Sequence, residues 1–223
     1  MKPALATIFI FFFLYIFSTK SSPVRAATPE AVVDISGEKV KAGVSYYVLS
    51  AYRGRGGGLT FNTFKNDTCP HVVVQEIFGF SKGKPVQFLP LNPKNHVVHT
   101  FRNLNIKFSE PIASTCTESG VWRLNKFISE ALNVATNGIE GTQETYNRFM
   151  IEKAEVEGAY KLRFCPLSQS EECHNDLEIF SAGDGKNYVG LTNPGQFQPL
   201  RVVFEKANVD NAFNDADETV MSI

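Results

Sequence analysis

Short runs of apolar residues, several with polar residues alternating between them, recur from residue 45 to residue 205. Val, Ile, Tyr and Phe fill them, the side chains that suit a pleated, half-buried surface. The pattern predicts strands at 45–51, 71–77, 85–89, 96–100, 104–108, 120–124, 146–152, 159–164, 176–180, 187–191 and 200–205, with a short one at 58–60. Turn-forming clusters separate them: Gly54-Arg55-Gly56-Gly57-Gly58, Asn92-Pro93-Lys94-Asn95, Asn137-Gly138, Gly183-Asp184-Gly185 and Asn193-Pro194-Gly195. Many short strands at such spacing predict an all-β barrel or sandwich. The one helical candidate is 125–136, where Phe127, Ala131 and Val134 fall near helical spacing. No Pro/Ser-rich linker divides the chain, so one domain is expected over 27–207, long enough for a real core. Residues 208–223 are acidic, lack a strand pattern and are read as a flexible tail.

The N-terminus breaks the alternation. Residues 4–17 are apolar except for one Thr, follow Lys2 and precede small residues at Ala26 and Ala27. This is the layout of a secretory leader, assigned to 1–26. The apolar run is shorter than the roughly 20 residues that span a bilayer. No later stretch is long and apolar enough, so no membrane partner is expected once the leader is removed. Four cysteines follow: Cys69, Cys116, Cys165 and Cys173. An even number in a secreted chain implies disulfides, and four cysteines allow three pairings. Zinc is the rival use, but no CxxC pair is present. Asn66-Asp67-Thr68 is a glycan-acceptor sequon, with Asn66 the acceptor.

Composition then excludes several functions. The chain has 223 residues and a formal net charge of -1. Such balance gives no electrostatic reason to expect nucleic acid. His96 and His99 suggest a metal pair, yet residues three apart on a strand face opposite sides. The run Gly54–Gly58 lacks the Gly-Lys-Ser/Thr ending and the following helix of a phosphate loop. No histidine lies in a catalytic motif and no G-x-S-x-G occurs. The reading is therefore not an enzyme, with no cofactor and no metal.

Several segments, taken in order, resemble the plant Kunitz family of the soybean-trypsin-inhibitor type, which includes miraculin-like proteins. They are Val33-Asp34 with Gly37, Gly43-Val44-Ser45-Tyr46-Tyr47-Val48-Leu49, Gly56-Gly57-Gly58-Leu59 and Cys69-Pro70. Gly83-Lys84-Pro85-Val86-Gln87-Phe88, Asn105-Ile106-Lys107-Phe108, Cys116 and Trp122 follow. The last are Phe149-Met150-Ile151-Glu152-Lys153, Tyr160 to Pro166, Cys173 and Val203-Phe204-Glu205-Lys206-Ala207. The resemblance covers residues 31–207. It implies a β-trefoil of twelve strands in three pseudo-repeats, with disulfides Cys69–Cys116 and Cys165–Cys173. It also implies a secreted or vacuolar monomer whose partner is an endopeptidase.

Family inhibitors block serine proteases with a substrate-like loop, which falls here at Pro90, Leu91, Asn92, Pro93, Lys94 and Asn95. Pro90 and Pro93 each fix a φ angle, and a preorganised loop loses little entropy on docking. Matching from the following strand puts Lys94 at the primary position, which implies trypsin-like targets. Matching from Gly83-Lys84-Pro85 puts Leu91 there, which implies chymotrypsin-like ones. The resemblance also places a bracing Asn just before the Gly of the first strand, where this chain has Ala42. Alanine cannot donate those hydrogen bonds. A non-inhibitory Kunitz-fold protein, or an inhibitor of cysteine or aspartic proteases, stands as the alternative.

Overall fold

The computed structural model describes residues 28–65, 67–112, 116–125, 131–141, 144–166, 173, 175–192 and 199–208. The leader 1–26, Asn66 and all of the tail except Asn208 lie outside the described residues.

Thirteen strands and one 3-10 turn, Thr145–Asn147, make up the described regular structure. They are β1 Ser45–Ser50, β2 Leu59–Thr63, β3 His71–Gln75, β4 Val86–Pro90, β5 Leu104–Phe108, β6 Arg123–Asn125 and β7 Leu132–Ala135. The rest are β8 Phe149–Lys153, β9 Tyr160–Phe164, β10 Asn175–Asp176, β11 Glu178–Ser181, β12 Asn187–Leu191 and β13 Arg201–Lys206. Six of them close a ring: β1 pairs with β4, β4 with β5, β5 with β8, β8 with β9, β9 with β13, and β13 with β1. Closure leaves the ring without an open edge. Three antiparallel hairpins, β2–β3, β6–β7 and β11–β12, cover one end. Their inner strands β3, β7 and β12 pair with one another in a triangle. A six-stranded barrel capped by three hairpins is the β-trefoil.

Inward alternation fills the barrel. Tyr46, Val48, Phe88, Ile106, Phe149, Leu162 and Phe204 are buried at alternate strand positions. Phe204 lies edge-on to Phe88 at 5.0 Å and stacks on Tyr160 at 5.3 Å. Trp122 is fully buried between Phe108 and Phe149. Each such aromatic contributes about 1.5–3 kcal/mol by leaving water. Where the cap strands converge, a Cβ on Gly190 would lie 2.1 Å from the Leu132 carbonyl oxygen, so only glycine lets β12 approach β7.

One helix expectation and two strand expectations are corrected. Residues 132–135, expected inside a helix, form β7, because pairing with β6, β3 and β12 and burial of Val134 outweigh a weak helical spacing. Residues 126–130 of that stretch lie outside the described residues. The run 96–100 is not a continuous strand: Val97 and His99 make single bridges to Lys41 and Ala31. The run 176–180 is split at buried Leu177, whose N–H donates to Leu162 as the chain leaves the barrel for the cap. Joined across Leu177, β10 and β11 restore the count of twelve.

Both disulfides follow the sequential pairing, Cys69–Cys116 and Cys165–Cys173. The first ties the β2–β3 hairpin to the segment leading into β6. The second gathers with Met150 and Phe101 into a small satellite core.

Candidate functional site

The segment between β4 and β5 leaves the barrel at Pro90, at the opposite end of β4 from the Gly83-Lys84 turn. Asn92-Pro93-Lys94-Asn95 folds as a turn: the Asn95 N–H donates to the Asn92 carbonyl at 3.0 Å. The Asn92 side-chain Oδ1 accepts the Lys94 N–H at 3.1 Å. Sequence dictates both features, since Pro93 fixes φ after the turn's first residue and Asn bonds its own backbone two residues on. Lys94 projects from the turn, exposed, with no carboxylate partner among the described residues.

The arms of the loop are held by main chain. On the first arm, the Leu91 N–H donates to Asn103 at 3.2 Å. On the second, the Ala42 N–H donates to His96 at 3.0 Å, and the Val98 N–H to Val40 at 2.9 Å. Ala42 thus supplies a backbone contact to the loop, although its side chain supplies none.

The base of the loop is shaped by Phe101, which has φ +55°, a left-handed conformation rare for a bulky residue. Its N–H donates to Ile151 at 3.0 Å, and its ring packs on the Cys165–Cys173 and Met150 cluster. This reversal returns the chain so that Asn103 meets Leu91. Leu91, Asn92, Asn95, Phe101, Arg102 and Asn103 line an open cleft of about 630 Å³ under the loop. The predicted residues 90–95 are therefore contiguous around one protruding turn. Sequence reasoning missed Phe101 and Asn103, because a positive φ at Phe and a main-chain acceptor leave no mark in residue type.

The two positions considered for the primary contact differ in access. Lys94 is exposed, whereas Leu91 is half-buried at the root with its N–H engaged. The histidine pair offers no clear ligand set: His96 is exposed, and His99 Nδ1 lies 2.9 Å from the Val97 carbonyl oxygen. Cys69, Cys116 and Glu118 bring ligand-type atoms together. Both sulfurs there are already bonded in the disulfide. Glu118 instead accepts from the His71 N–H at 2.9 Å and from the Thr136 hydroxyl, anchoring the cap.

A family model described as trypsin and protease inhibitor, of the Kunitz legume type, matches residues 32–206. A protein named Kunitz trypsin inhibitor 5 from Arabidopsis thaliana is 35% identical over 207 residues, 90% of this chain and 97% of its own. Miraculin from Synsepalum dulcificum is 34% identical over 209 residues, 87% of this chain and 94% of its own. Among solved structures, the bifunctional alpha-amylase/subtilisin inhibitor of Oryza sativa matches with a TM-score of 0.64 and 32% identity. That match covers 81% of this chain and all of the rice protein.

Proposed function

The chain belongs to the Kunitz legume family of trypsin and protease inhibitors, and from that premise we propose that it inhibits a trypsin-like serine endopeptidase through residues 90–95. It is a protein of an inhibitor family, not an enzyme. Lys94 enters the primary specificity pocket, where its ammonium meets a buried carboxylate. The observation that carries this reading is an exposed lysine, without a carboxylate partner among the described residues, on a turn closed by the Asn92 side chain and held at both arms. A loop already ordered loses less freedom on docking and is a poorer substrate than a loose one. The arms, anchored by main-chain bonds, limit how far the chain moves on docking.

The second reading is a non-inhibitory member of the family. The missing side-chain amide at Ala42 and the likeness to miraculin favour it. In either case the leader-like segment 1–26 directs the chain into the secretory pathway, toward apoplast or vacuole. No helix among the described residues is long and apolar enough to cross a membrane.

The test is a titration of trypsin and of chymotrypsin with oxidised mature protein, alongside Lys94→Ala. Stoichiometric trypsin inhibition that Lys94→Ala reduces at least about a hundredfold fits loss of a charge-paired anchor. Inhibition of chymotrypsin alone moves the contact to Leu91. Absence of inhibition of serine, cysteine and aspartic proteases favours the second reading.

A further inference from the structure

At the other end of β4, two loops form a surface that the inhibitory reading does not use. The β3–β4 loop carries Ile77, Phe78 and Phe80 at 60%, 62% and 84% exposure. The two phenyl rings stack at 5.4 Å on one another rather than on the body of the protein. Isolated exposed apolar residues are ordinary, but three large ones within four positions form a patch.

The patch is rigidly mounted. The Gly57 N–H donates to Glu76 at 2.7 Å, Gly58 to Ser81 at 2.8 Å and Ser81 to Phe78 at 3.0 Å. These bonds clamp the β3–β4 loop to the β1–β2 loop. A Cβ on Gly57 would sit 2.3 Å from the Ser81 oxygen and 2.4 Å from the Phe78 oxygen, so the clamp requires glycine there. The aromatic tip is thus held out in water by a built scaffold.

The β1–β2 loop clamped to it carries charge. Arg53 and Arg55 flank the glycines, and both are exposed. Arg55 lies over the exposed Tyr52 ring at 5.3 Å. Neither arginine has a carboxylate partner among the described residues. Lys82 and Lys84 are already paired, with Glu205 at 2.8 Å and Glu110 at 2.6 Å. Glu76 is the one acid in the two loops, and it is half-buried.

From this juxtaposition we infer that the Ile77-Phe78-Gly79-Phe80 loop is an interfacial anchor that docks the protein on an anionic lipid surface. The aromatic tip enters the headgroup boundary, and Arg53 and Arg55 meet the phosphates beside it. An exposed aromatic tip, clamped to a loop that carries two exposed arginines, suits a soft, negatively charged plane. A stable protein partner needs a broader surface, about 800 Å² a side. The contact lies at headgroup level and involves no membrane span. The anchor precedes β4 and the proposed inhibitory loop follows it, so the two surfaces lie at opposite ends of one strand.

The test is vesicle co-sedimentation of the oxidised mature protein with phosphatidylcholine alone and with a phosphatidylcholine–phosphatidylserine mixture. Binding is expected to the mixture, to fall with added salt and to be weak on phosphatidylcholine. Phe78→Ser/Phe80→Ser should weaken it at least about tenfold, because most of the buried apolar area goes. Arg53→Glu/Arg55→Glu should abolish the preference for the anionic mixture. All four side chains are exposed, so unchanged thermal melts and protease titrations are expected for both variants. No partitioning of the wild-type protein, or partitioning that both variants retain, overturns the proposal. Sedimentation velocity on the same samples tests for a second copy. Dimers that Phe78→Ser/Phe80→Ser dissolves, without vesicle binding, assign the patch to self-association and also overturn it.

Discussion

Residue 42 concentrates the question of whether the 90–95 loop is inhibitor or substrate. With alanine there, the second arm relies on the main-chain bond that Ala42 donates to His96 and the one that Val40 accepts from Val98, and the turn relies on Asn92. A hydrogen bond of this kind contributes about 1 kcal/mol net. Asn92→Ala should therefore weaken trypsin inhibition by about fivefold and speed cleavage after Lys94, with little change in melting temperature. Inhibition constants and mass analysis of the reaction mixture read both effects. Ala42→Asn should act in the opposite sense by adding a donor to the loop. If Asn92→Ala leaves both constants unchanged, the Asx turn does not brace the loop.

At the scale of elements, the β11–β12 turn shows how the cap hairpins are locked together. The Tyr188 hydroxyl donates to the Asp184 carboxylate across the turn and accepts from the Lys65 N–H beside β2–β3. Its ring packs on Phe64 and Phe180. Burial, and then the bond to Asp184, pushes the Tyr188 phenol up to about 12. The same bond holds Asp184 below its ordinary value. A depressed carboxyl stabilises the fold above its unfolded value, and that contribution is lost as pH falls through the lowered folded value. A raised phenol stabilises below its unfolded value and is lost as pH rises toward 12. Tyr188→Phe should lower the melting temperature at neutral pH, and the deficit should shrink in acid below the usual aspartate range. Melts of both proteins across pH read this, and a pH-independent deficit would mean the hydroxyl does not act through Asp184.

For the whole molecule, the ring and the cap share one main core, and the two disulfides close loops of very different length at its margin. Cys69–Cys116 closes a separation of 47 residues and Cys165–Cys173 one of 8. By chain entropy, these correspond to about 4 and about 2.5 kcal/mol. Cys69→Ala/Cys116→Ala should thus cost more in a urea titration than Cys165→Ala/Cys173→Ala. The second variant should also loosen the loop, because Phe101 leans on that disulfide where it returns the chain to Leu91. The expected signature is a smaller loss of stability with a larger loss of protease inhibition.

Alternation of Val, Ile, Tyr and Phe sufficed to mark most strands, because a period of two is written in side-chain type. The Asn92-Pro93-Lys94-Asn95 turn was legible for the same reason: Pro restricts φ locally and Asn bonds its own backbone. Barrel closure was not legible in the alternation itself, since the β13–β1 pairing joins residues more than 150 positions apart. Nor was the fate of 132–135, where a helical spacing yields once three other strands supply partners. Residue types in order were enough for the all-β class, the even set of cysteines and the Pro-bracketed loop with its lysine. The role of Phe101, the main-chain hold of Ala42 on His96 and the projection of Phe78 and Phe80 emerged only once the chain was folded. Those features depend on backbone direction and on contacts between remote segments, which no local pattern encodes.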